Sequence, residues 1–354
     1  GKGSAVDMPG TIYDGASVLH PELAVGDLDG LIDEDGDCHD EIIILYKVSA
    51  DDTPTLRLAV LDYHLNELDY SFLENFSEPS DIAVTTGDFD GDGVMEVGVA
   101  YNTYLTTFRF SQFESGDFGL EKSDTVSLDT NFKFAKMVSG DFSGDSKEEI
   151  ALSYSDGSSV TTQVFSITTD LDITQKGRIS ETGKITTRPD IVAGFFKYDP
   201  ENNYNFNRRQ LALTYADEQS FTYLYIVTYD IDEDLNISRE KIHKEDSGGL
   251  IGAKISAGNF LEYKSDTPPT MGLFWAMLTY DDTIMEYRVF SVDTSLQLTQ
   301  QLSNLTMFDG GAKKMAIVIA DKNGKSFYAG SPLHINVPQL TKTQFILYEP
   351  PKHM

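Results

Sequence analysis

The sequence predicts an all-β protein, and three observations support this prediction. Short apolar segments rich in β-branched and aromatic residues, many with period-two alternation, recur along the 354 residues. Turn-forming residues separate these segments about every ten positions, a spacing typical of successive short strands. No window has a persuasive apolar stripe with the 3.6-residue period of an amphipathic helix, so helices are not expected.

The chain also has a longer period. An acidic, glycine-containing segment occurs three times, as GDLDGLIDEDGDCHDE at 26–41, GDFDGDGVME at 87–96 and GDFSGDSKEE at 140–149. Each is followed by a short predicted strand that ends in tyrosine, such as EIIILY at 41–46 and EVGVAY at 96–101. Aligned on this segment, six repeats start at Asp27, Asp88, Asp141, Phe195, Asn259 and Asp321, with spacings of 61, 53, 54, 64 and 62 residues.

Each repeat contains four predicted strands, and the acidic segment joins the first strand to the second. Repeated four-stranded sheets are typical of the blades of a β-propeller, in which radial repetition protects the sheet edges. The sequence therefore predicts a single β-propeller domain over 1–354, with blades that start near residues 22, 81, 132, 190, 251 and 312. Six blades are expected, and seven is the alternative.

The composition excludes several classes of protein. Hydrophobic residues make up 40% of the chain, which is enough for a folded core and argues against disorder. The formal net charge of −30 repels nucleic-acid phosphates and anionic membrane surfaces. No segment approaches the 18 apolar residues of a membrane-spanning helix, so no membrane insertion is expected. Because Cys38 is the single cysteine, no intrachain disulfide can form.

The acidic segments have the chemistry of a site for a hard cation. Oxygen-bearing side chains at positions 1, 3, 5 and 9 of a tight loop can converge on one ion, and Ca²⁺ takes 6–8 such oxygen ligands. The alternative is a plain Asp/Gly turn on a solvated surface. Recurrence of the loop in one register, each time closed by a glutamate on the following strand, favours the metal site.

The segment GDFDGDG at 87–93, followed by an acidic residue and an apolar strand, resembles the FG-GAP/VCBS-type repeat of integrin α-subunit propellers, certain fungal lectins and many secreted bacterial proteins. In that family, the loop between the first two strands of a blade holds Ca²⁺. The resemblance implies two ligand sets: Asp88, Asp90, Asp92, Glu96 and the carbonyl of Val94; and Asp141, Ser143, Asp145, Glu149 and the carbonyl of Lys147.

The first acidic loop is longer by six residues, so two registers fit it. The preferred register keeps the 1-3-5-9 spacing and uses Asp33, Asp35, Asp37 and Glu41 with the carbonyl of His39. The other register uses Asp27 and Asp29 together with Asp37 and Glu41. About three structural Ca²⁺ ions are thus expected. The loops of the later repeats, near Phe195, Asn259 and Asp321, have lost the carboxylate set.

A tyrosine recurs at the end of the second strand of five repeats and has two interpretations. The residues are Tyr46, Tyr101, Tyr154, Tyr215 and Tyr280. They could form a ring of aromatic side chains that stack on a ligand. Equivalent strand ends are more often packing positions, so we expect these tyrosines to pack between blades.

For function, family analogy favours a calcium-stabilised, non-enzymatic recognition or adhesion module that binds a protein or a glycan. We expect it to be extracellular or at the cell surface, as part of a longer chain with neighbouring domains. One alternative is the propeller of a secreted carbohydrate-active enzyme, a lyase or hydrolase. Another is a passive scaffold in a giant multidomain protein. No hydrolase, metalloprotease or phosphate-binding motif occurs, so no catalytic residue is assigned.

Overall fold

A computed structural model of the chain describes residues 17–31, 40–50, 53–62, 64, 66–73, 81–112, 118–128, 132–182, 189–197, 208–217, 223–246, 250–258, 272–279, 284–307, 314–322, 325–333 and 346–348. These residues form 23 β-strands and no helix. Among them, accordingly, no helix is long and apolar enough to cross a membrane.

The strands form six sheets in chain order. Sheet 1 contains β1 (Ser17–Gly26), β2 (Glu41–Ala50), β3 (Thr53–Leu61) and β4 (Glu67–Leu73), and sheet 2 contains β5 (Ile82–Gly87), β6 (Glu96–Tyr101), β7 (Tyr104–Gln112) and β8 (Phe118–Ser127). Sheet 3 contains β9 (Phe134–Gly140), β10 (Glu149–Ser155), β11 (Ser159–Ile167) and β12 (Ile173–Thr182). Sheet 4 contains β13 (Asp190–Gly194), β14 (Gln210–Asp217), β15 (Tyr223–Ile231) and β16 (Ile237–Asp246).

The last two sheets follow the same order. Sheet 5 contains β17 (Leu250–Gly258), β18 (Gly272–Thr279), β19 (Ile284–Val292) and β20 (Leu298–Met307). Sheet 6 has three strands in the described part of the chain: β21 (Lys314–Lys322), β22 (Lys325–Leu333) and β23 (Ile346–Tyr348). Consecutive strands are neighbours in every sheet, so each sheet is a simple meander. The predictions of an all-β chain and of repeated four-stranded sheets are confirmed.

The first strands of the six sheets begin at Ser17, Ile82, Phe134, Asp190, Leu250 and Lys314. These positions lie close to the expected blade starts. The chain divides into two compact units, of which the first comprises Gly1–Gly140, Ser146–Asp156 and Gln163–Lys176, and the second comprises Asp141–Asp145, Gly157–Thr162 and Gly177–Met354. That all six sheets belong to one ring, with six or seven blades, stays a prediction.

The core of the first unit lies between the faces of successive sheets. One buried cluster joins sheets 1 and 2 and includes Ile43, Leu58, Val84 and Val99, all at most 4% exposed. A second cluster joins sheet 2 to the strands of sheet 3 in this unit, as in the packing of Ala100 with Leu152 and Phe165. Both faces of sheet 2 are therefore buried, which explains why its strand β6 is buried at every position.

The second unit repeats this arrangement. Its buried cluster joins sheets 4 and 5, with Ala212, Leu224 and Ile226 from sheet 4 and Ile255, Leu273 and Phe290 from sheet 5. In sheets 1, 2, 4 and 5 the apolar second and third strands thus supply most of the described packing between sheets. Burial of apolar surface contributes about 25 cal/mol per Å², so this packing between sheets stabilises the fold.

The same hydrogen bonds recur between successive sheets in both units. In the first unit the Asp81 carboxylate accepts from the backbone N–H of Ala135 at 2.9 Å, and in the second the Asp190 carboxylate accepts from Ile255 N–H at 2.9 Å. Both aspartates immediately precede or begin the first strand of their sheet. The bond therefore recurs in two repeats, and a bond to a carboxylate is stronger than a bond between two neutral groups.

A second recurrent bond involves leucines in the turn before the fourth strand. Thr107 Oγ1 donates to the carbonyl of Leu171 at 3.0 Å, and Thr228 Oγ1 donates to that of Leu296 at 3.1 Å. The backbone φ angles of Leu171, Leu235 and Leu296 are +63°, +65° and +60°, in the left-handed region. This conformation costs an L-residue roughly 1–2 kcal/mol, and burial of the leucine side chains offsets that cost.

The recurrent tyrosines pack inside the protein. Tyr46, Tyr101, Tyr154 and Tyr215 are between 1% and 7% exposed. Tyr215 also stacks on Tyr225, with ring centroids 5.1 Å apart. The packing interpretation is confirmed for these four, whereas Tyr280 lies outside the described residues.

Candidate metal centre

The second acidic loop folds around its own aspartates. Asp88 Oδ1 accepts from Gly91 N–H at 2.8 Å, and its Oδ2 accepts from Gly93 N–H at 3.1 Å. Asp90 Oδ1 accepts from Asp92 N–H at 3.0 Å. Gly91 and Gly93 have φ angles of +81° and +92°, which only glycine adopts without strain. The glycines of the motif therefore allow the tight turn that gathers the carboxylates.

The first acidic loop has the same local geometry. Asp27 Oδ1 accepts from Gly30 N–H at 2.8 Å, and Asp29 Oδ1 accepts from Leu31 N–H at 2.8 Å. Gly30 has a φ of +61°. Asp27 and Asp29 thus occupy the places that Asp88 and Asp90 occupy in the second loop.

In both loops a glutamate from the following strand completes a group of three carboxylates. One oxygen from each of Asp88, Asp90 and Glu96 lies within 4.8 Å of the other two, and so do oxygens from Asp27, Asp29 and Glu41. Two oxygens on opposite sides of a cation with metal–oxygen distances of about 2.4 Å would be about 4.8 Å apart. The two groups are therefore compact enough to share one ion each, and both can hold a metal ion.

The closing glutamates are the most deeply buried members of the groups. Glu41 is 3% exposed and Glu96 is 1% exposed. Each is held in place by an N–H from its own loop: Leu28 N–H donates to Glu41 Oε2 at 2.8 Å, and Phe89 N–H donates to Glu96 Oε2 at 2.9 Å. Glu41 also accepts from the backbone N–H of Asp29, and the other oxygen of Glu96, Oε1, faces the side chain of Arg109.

In both groups the negative charge of the buried glutamate is unfavourable without a nearby positive charge. The pKa of Glu96 is raised to about 8, first by burial and then by the charge of Asp90, while Phe89 N–H and the guanidinium of Arg109 oppose the rise. Burial likewise raises the pKa of Glu41 to about 7, with Asp29 and Asp27 adding to it. A buried carboxylate surrounded by like charges is costly unless a cation pairs with it, so the donor set fits a bound metal ion.

A protein cation already contacts the second group. The Arg109 guanidinium, on β7, bonds Asp90 Oδ2 through Nη2, and its Nε lies 3.8 Å from Glu96 Oε1. Asp90 is 8% exposed in its side chain, whereas Arg109 is 41% exposed. The arginine therefore reaches the acidic group from the solvent side.

An apolar residue at the second position anchors each loop in the core. Leu28 and Phe89 are fully buried, Leu28 in the cluster between sheets 1 and 2 and Phe89 in the cluster between sheets 2 and 3. Phe142 and Phe196 hold the same position in the next two repeats and are 0% and 1% exposed. Sequence reasoning attended to the carboxylates and missed this anchor, although its signal is the apolar residue after the first aspartate of each loop.

The loops also connect successive sheets of the first unit. Met95 N–H, next to the closing glutamate of sheet 2, donates to the carbonyl of Asp27 at 2.8 Å, and Glu148 N–H donates to that of Asp88 at 2.9 Å. Each loop is thus held between its own sheet and the next one. An ion in such a loop would stabilise two strands of one sheet and, through this bond, the neighbouring sheet.

Not every predicted ligand joins these groups. Asp92 is exposed, and its Oδ1 accepts from Val94 N–H at 2.8 Å; ligation by Asp92 and by the carbonyl of Val94 stays a prediction. The preferred register of the first loop falls on Asp33, Asp35, Asp37 and His39, which lie outside the described residues. The structure instead brings together Asp27, Asp29 and Glu41, three members of the alternative register.

The third loop shares one local feature with the second. Gly144 N–H donates to Asp141 Oδ1 at 2.6 Å, as Gly91 N–H does to Asp88. The loop residues Asp141–Asp145 belong to the second unit, and the closing Glu149 belongs to the first. The full set of Asp141, Ser143, Asp145, Lys147 and Glu149 stays a prediction.

The fourth repeat replaces the acidic group with an internal ion pair. Gln210 stands where the glutamates stand in the first two repeats, and its Oε1 accepts from Lys197 N–H at 2.9 Å. The Lys197 ammonium lies 2.5 Å from Asp230 Oδ2. Lys197 occupies the third loop position, which is Asp90 in the second repeat. The ammonium thus brings a positive charge to the place where the second loop gathers negative charge.

Comparison with known sequences gives no relative for this chain. No protein family matches it, and no curated protein has a significant sequence match.

Comparison with solved structures finds distant similarities. The exotype rhamnogalacturonan lyase YesX is 12% identical with a TM-score of 0.44, over 90% of this chain and 71% of that protein. The rhamnogalacturonan lyase YesW is 11% identical with a TM-score of 0.44, over 90% and 70%. A Saccharomyces cerevisiae core factor structure is 10% identical with a TM-score of 0.41, over 87% and 54%. These identities and TM-scores are too low to transfer an activity to this chain.

Proposed function

We propose that the chain is a calcium-stabilised β-propeller domain that acts as a non-enzymatic recognition module. The observation that carries the calcium part is the convergence of three carboxylates at the same point of two successive repeats. Each group combines buried and half-buried carboxylates with a tight loop that holds their orientation. This is the arrangement of a structural ion site.

Calcium suits these groups better than magnesium or zinc. All donors are oxygens, whereas zinc in proteins favours histidine and cysteine. Magnesium requires near-octahedral geometry at 2.0–2.1 Å and usually keeps several waters, whereas Ca²⁺ accepts irregular shells of 6–8 oxygens. Three carboxylates supplemented by a loop carbonyl and water match the calcium shell. We propose about three ions, with the third in the loop that contains Asp141 and Asp145.

The propeller part of the proposal is supported by the repeated bonds between sheets. The Asp81 and Asp190 carboxylates make the same contact one sheet onward, and so do the Thr107 and Thr228 hydroxyls. The step from sheet 2 to sheet 3 thus resembles the step from sheet 4 to sheet 5, as expected of a radial array of blades. Six such blades agree with the six repeats of the sequence.

The face of sheet 1 that points away from sheet 2 is apolar, and its middle strands are buried, with Ile44, Tyr46 and Ala59 8%, 2% and 2% exposed. Leu23, Val25, Tyr70 and Phe72 are 59%, 52%, 46% and 44% exposed. They alternate with residues that face sheet 2, such as Ala24 and Asp69, so they lie on the opposite face of sheet 1. The exposed apolar side chains therefore lie on the two outer strands, β1 and β4, at the margins of a face whose centre is buried.

The recognition part rests on the resemblance to propellers that bind proteins or glycans outside the cell. We place the domain at the cell surface or in a secreted protein, within a longer chain that has neighbouring domains. The buried carboxyls with raised pKa, Glu41 and Glu96, are the groups an enzyme would use as a general acid. Both are bonded to the backbone of their own loops, which suits a structural role.

Two measurements test this proposal. Thermal unfolding should show a melting temperature several degrees higher in millimolar Ca²⁺ than in EDTA, with a smaller increase in Mg²⁺, because an ion that binds the folded state stabilises it. A glycan array probed in Ca²⁺ and in EDTA should show binding to a defined set of glycans that EDTA abolishes. If no glycan binds, the glycan version of the proposal is wrong and the protein-ligand version is retained. An unchanged melting temperature would contradict the calcium site itself.

A further inference from the structure

We propose that Arg109 is a tethered cation that competes with the metal ion for the second acidic loop, so that metal binding displaces the guanidinium from Asp90. This inference rests on the proposed calcium site and adds a control on that site. Its basis is the contact of Arg109 Nη2 with Asp90 Oδ2 and the 3.8 Å approach of Arg109 Nε to Glu96 Oε1.

The two cations cannot use the same oxygens. Asp90 and Glu96 are members of the carboxylate group that can hold the metal ion, and the guanidinium approaches both. A divalent ion in that group would repel a guanidinium a few ångströms away, because solvent screens like charges only weakly in a partly buried site. The arginine can leave, since its side chain is 41% exposed while those of its acidic partners are 8% and 2% exposed.

Arg109 lies on the third strand of sheet 2, opposite the closing glutamate, where its charge acts directly on the loop. Val97 pairs with Phe108 in the register of β6 and β7, so Arg109 follows directly beside Glu96. In sheet 4, Leu211 pairs with Tyr229, so Asp230 stands at the equivalent place beside Gln210. The charges are therefore reversed between the two repeats. The loop residue is acidic and the strand residue basic in the second repeat, and the opposite holds in the fourth.

In the fourth repeat a side-chain cation stands where the second repeat has carboxylates. There the loop residue Lys197 is the cation and Asp230 is the acid, 2.5 Å apart, and Gln210 replaces the closing glutamate. A lysine ammonium thus supplies the positive charge within the repeat itself. The second repeat has both a group of carboxylates that can hold a metal ion and a side-chain cation, Arg109, that contacts it.

The first repeat has an acidic residue rather than an arginine at the equivalent position, so it serves as an internal reference. Ile42 pairs with Leu61, so the equivalent place beside Glu41 is Asp62. The Asp62 carboxylate accepts from Asn66 N–H at 2.7 Å. Removal of the Arg109 charge is therefore expected to change the calcium affinity of the second loop and to leave that of the first loop unchanged.

Isothermal titration of the EDTA-stripped chain with Ca²⁺ tests the inference. Arg109→Gln should tighten one calcium site about tenfold, because the competing charge is gone. Arg239→Gln is the control, since Arg239 is 47% exposed, pairs with Glu181 and changes the net charge equally; it should stay within about twofold of the wild type. The tightening should disappear when Asp88→Asn is added to Arg109→Gln.

The outcomes separate the two proposals. Calcium binding by the wild type with an equal or weaker affinity in Arg109→Gln overturns the competition and leaves the calcium site standing. No calcium binding by the wild type or by any variant overturns both. Binding that appears only in Arg109→Gln supports competition.

A measurement on the wild-type protein does not depend on any variant. Phenylglyoxal labels accessible guanidinium groups, and mass spectrometry of peptides reports the rate at Arg109. Labelling of Arg109 should be faster in millimolar Ca²⁺ than in EDTA, while that of Arg239 stays constant. Equal or slower labelling of Arg109 in Ca²⁺ overturns the inference.

Discussion

The backbone N–H of Met95 donates a hydrogen bond of 2.8 Å to the carbonyl of Asp27, across 68 positions of the chain. Asp27 is the first carboxylate residue of one acidic loop, and Met95 directly precedes Glu96, the closing glutamate of the next. The same bond joins Glu148 to Asp88. Each acidic loop is therefore linked to the next repeat, and an ion that orders one loop is expected to stabilise its neighbour.

Glu96→Gln should separate metal binding from folding. The amide keeps the acceptor for Phe89 N–H, as Gln210 does for Lys197 N–H in the fourth repeat, but removes the buried charge. In EDTA at pH 8 the variant should be at least as stable as the wild type, and its gain in melting temperature on adding Ca²⁺ should be reduced. Differential scanning calorimetry checks this, with Glu233→Gln, in an exposed turn, as the control. A full calcium response in Glu96→Gln would contradict the site.

Calcium binding should release protons near neutral pH. The pKa values of Glu41 and Glu96 are raised to about 7 and about 8, so both are partly protonated at pH 7 and must ionise to bind a metal ion. Affinity should therefore increase from pH 6 to pH 8. Titrations at pH 7 in buffers of different ionisation enthalpy measure the released protons; an observed enthalpy independent of buffer would contradict the prediction.

The metal-free fold should lose stability as pH rises. A carboxyl whose pKa is higher in the folded state than its ordinary value of 4.5 binds a proton more tightly when folded. Its contribution to stability is complete below pH 4.5 and is lost as pH rises through 7 to 8. Urea unfolding in EDTA between pH 5.5 and 8.5 should show this decline, and Ca²⁺ should reverse it at the upper end. A flat profile in Glu41→Gln/Glu96→Gln is the matched control.

Asp190→Ala should destabilise the second unit through a lost contact between sheets. The substitution leaves the buried N–H of Ile255 without its 2.9 Å acceptor and removes the partner of Lys254. An unsatisfied buried donor costs about 1–3 kcal/mol. Urea unfolding measures the change in the free energy of unfolding, and Asp234→Ala in an exposed turn should change it by less than about 0.5 kcal/mol. Equal effects of the two substitutions would show that the contact is unimportant.

Gly177→Ala should destabilise the protein because no space exists for a methyl group. A Cβ at this position would lie 2.4 Å from the carbonyl oxygen of Leu235, and a backbone atom cannot rotate away. Forcing extra atoms into a packed site costs about 1–3 kcal/mol. Thermal unfolding checks this against Lys176→Ala, whose side chain is exposed. A melting temperature like that of the control would contradict the close approach.

Lys197→Gln should lower stability by the same amount with and without calcium. Its ammonium pairs with Asp230 and is one-third exposed, so the loss should be about 1 kcal/mol. Because this repeat has no group of carboxylates in the described residues, the effect should not depend on Ca²⁺. Unfolding curves in EDTA and in millimolar Ca²⁺ make the comparison; rescue of the variant by Ca²⁺ would contradict this account.

Much of the architecture could be predicted from sequence because it depends on local pattern. Period-two alternation, turn residues and the spacing of the acidic segments predicted the strands and the four-stranded sheets. The sequence also indicated that Asp88, Asp90 and Glu96 come together, since they are close in sequence. The local loop chemistry determines how they converge.

The remaining features depend on contacts between distant segments. Arg109 meets Asp90 because of the register between β6 and β7, and Asp230 meets Lys197 through the corresponding register of sheet 4. Spacing in the first loop favoured Asp33 as the first ligand, which stays a prediction, whereas the bond from Met95 N–H to Asp27 and the burial of Leu28 depend on the neighbouring sheet. The pattern of a single sequence does not show which residues of neighbouring strands lie opposite each other.

Calcium titration of the EDTA-stripped wild type beside Glu41→Gln/Glu96→Gln tests the central claim most directly. The two loops predict that the wild type binds at least two Ca²⁺ ions per chain and that the double variant loses two of them while keeping its fold by circular dichroism. No binding by the wild type, or unchanged stoichiometry in the folded double variant, would contradict the account.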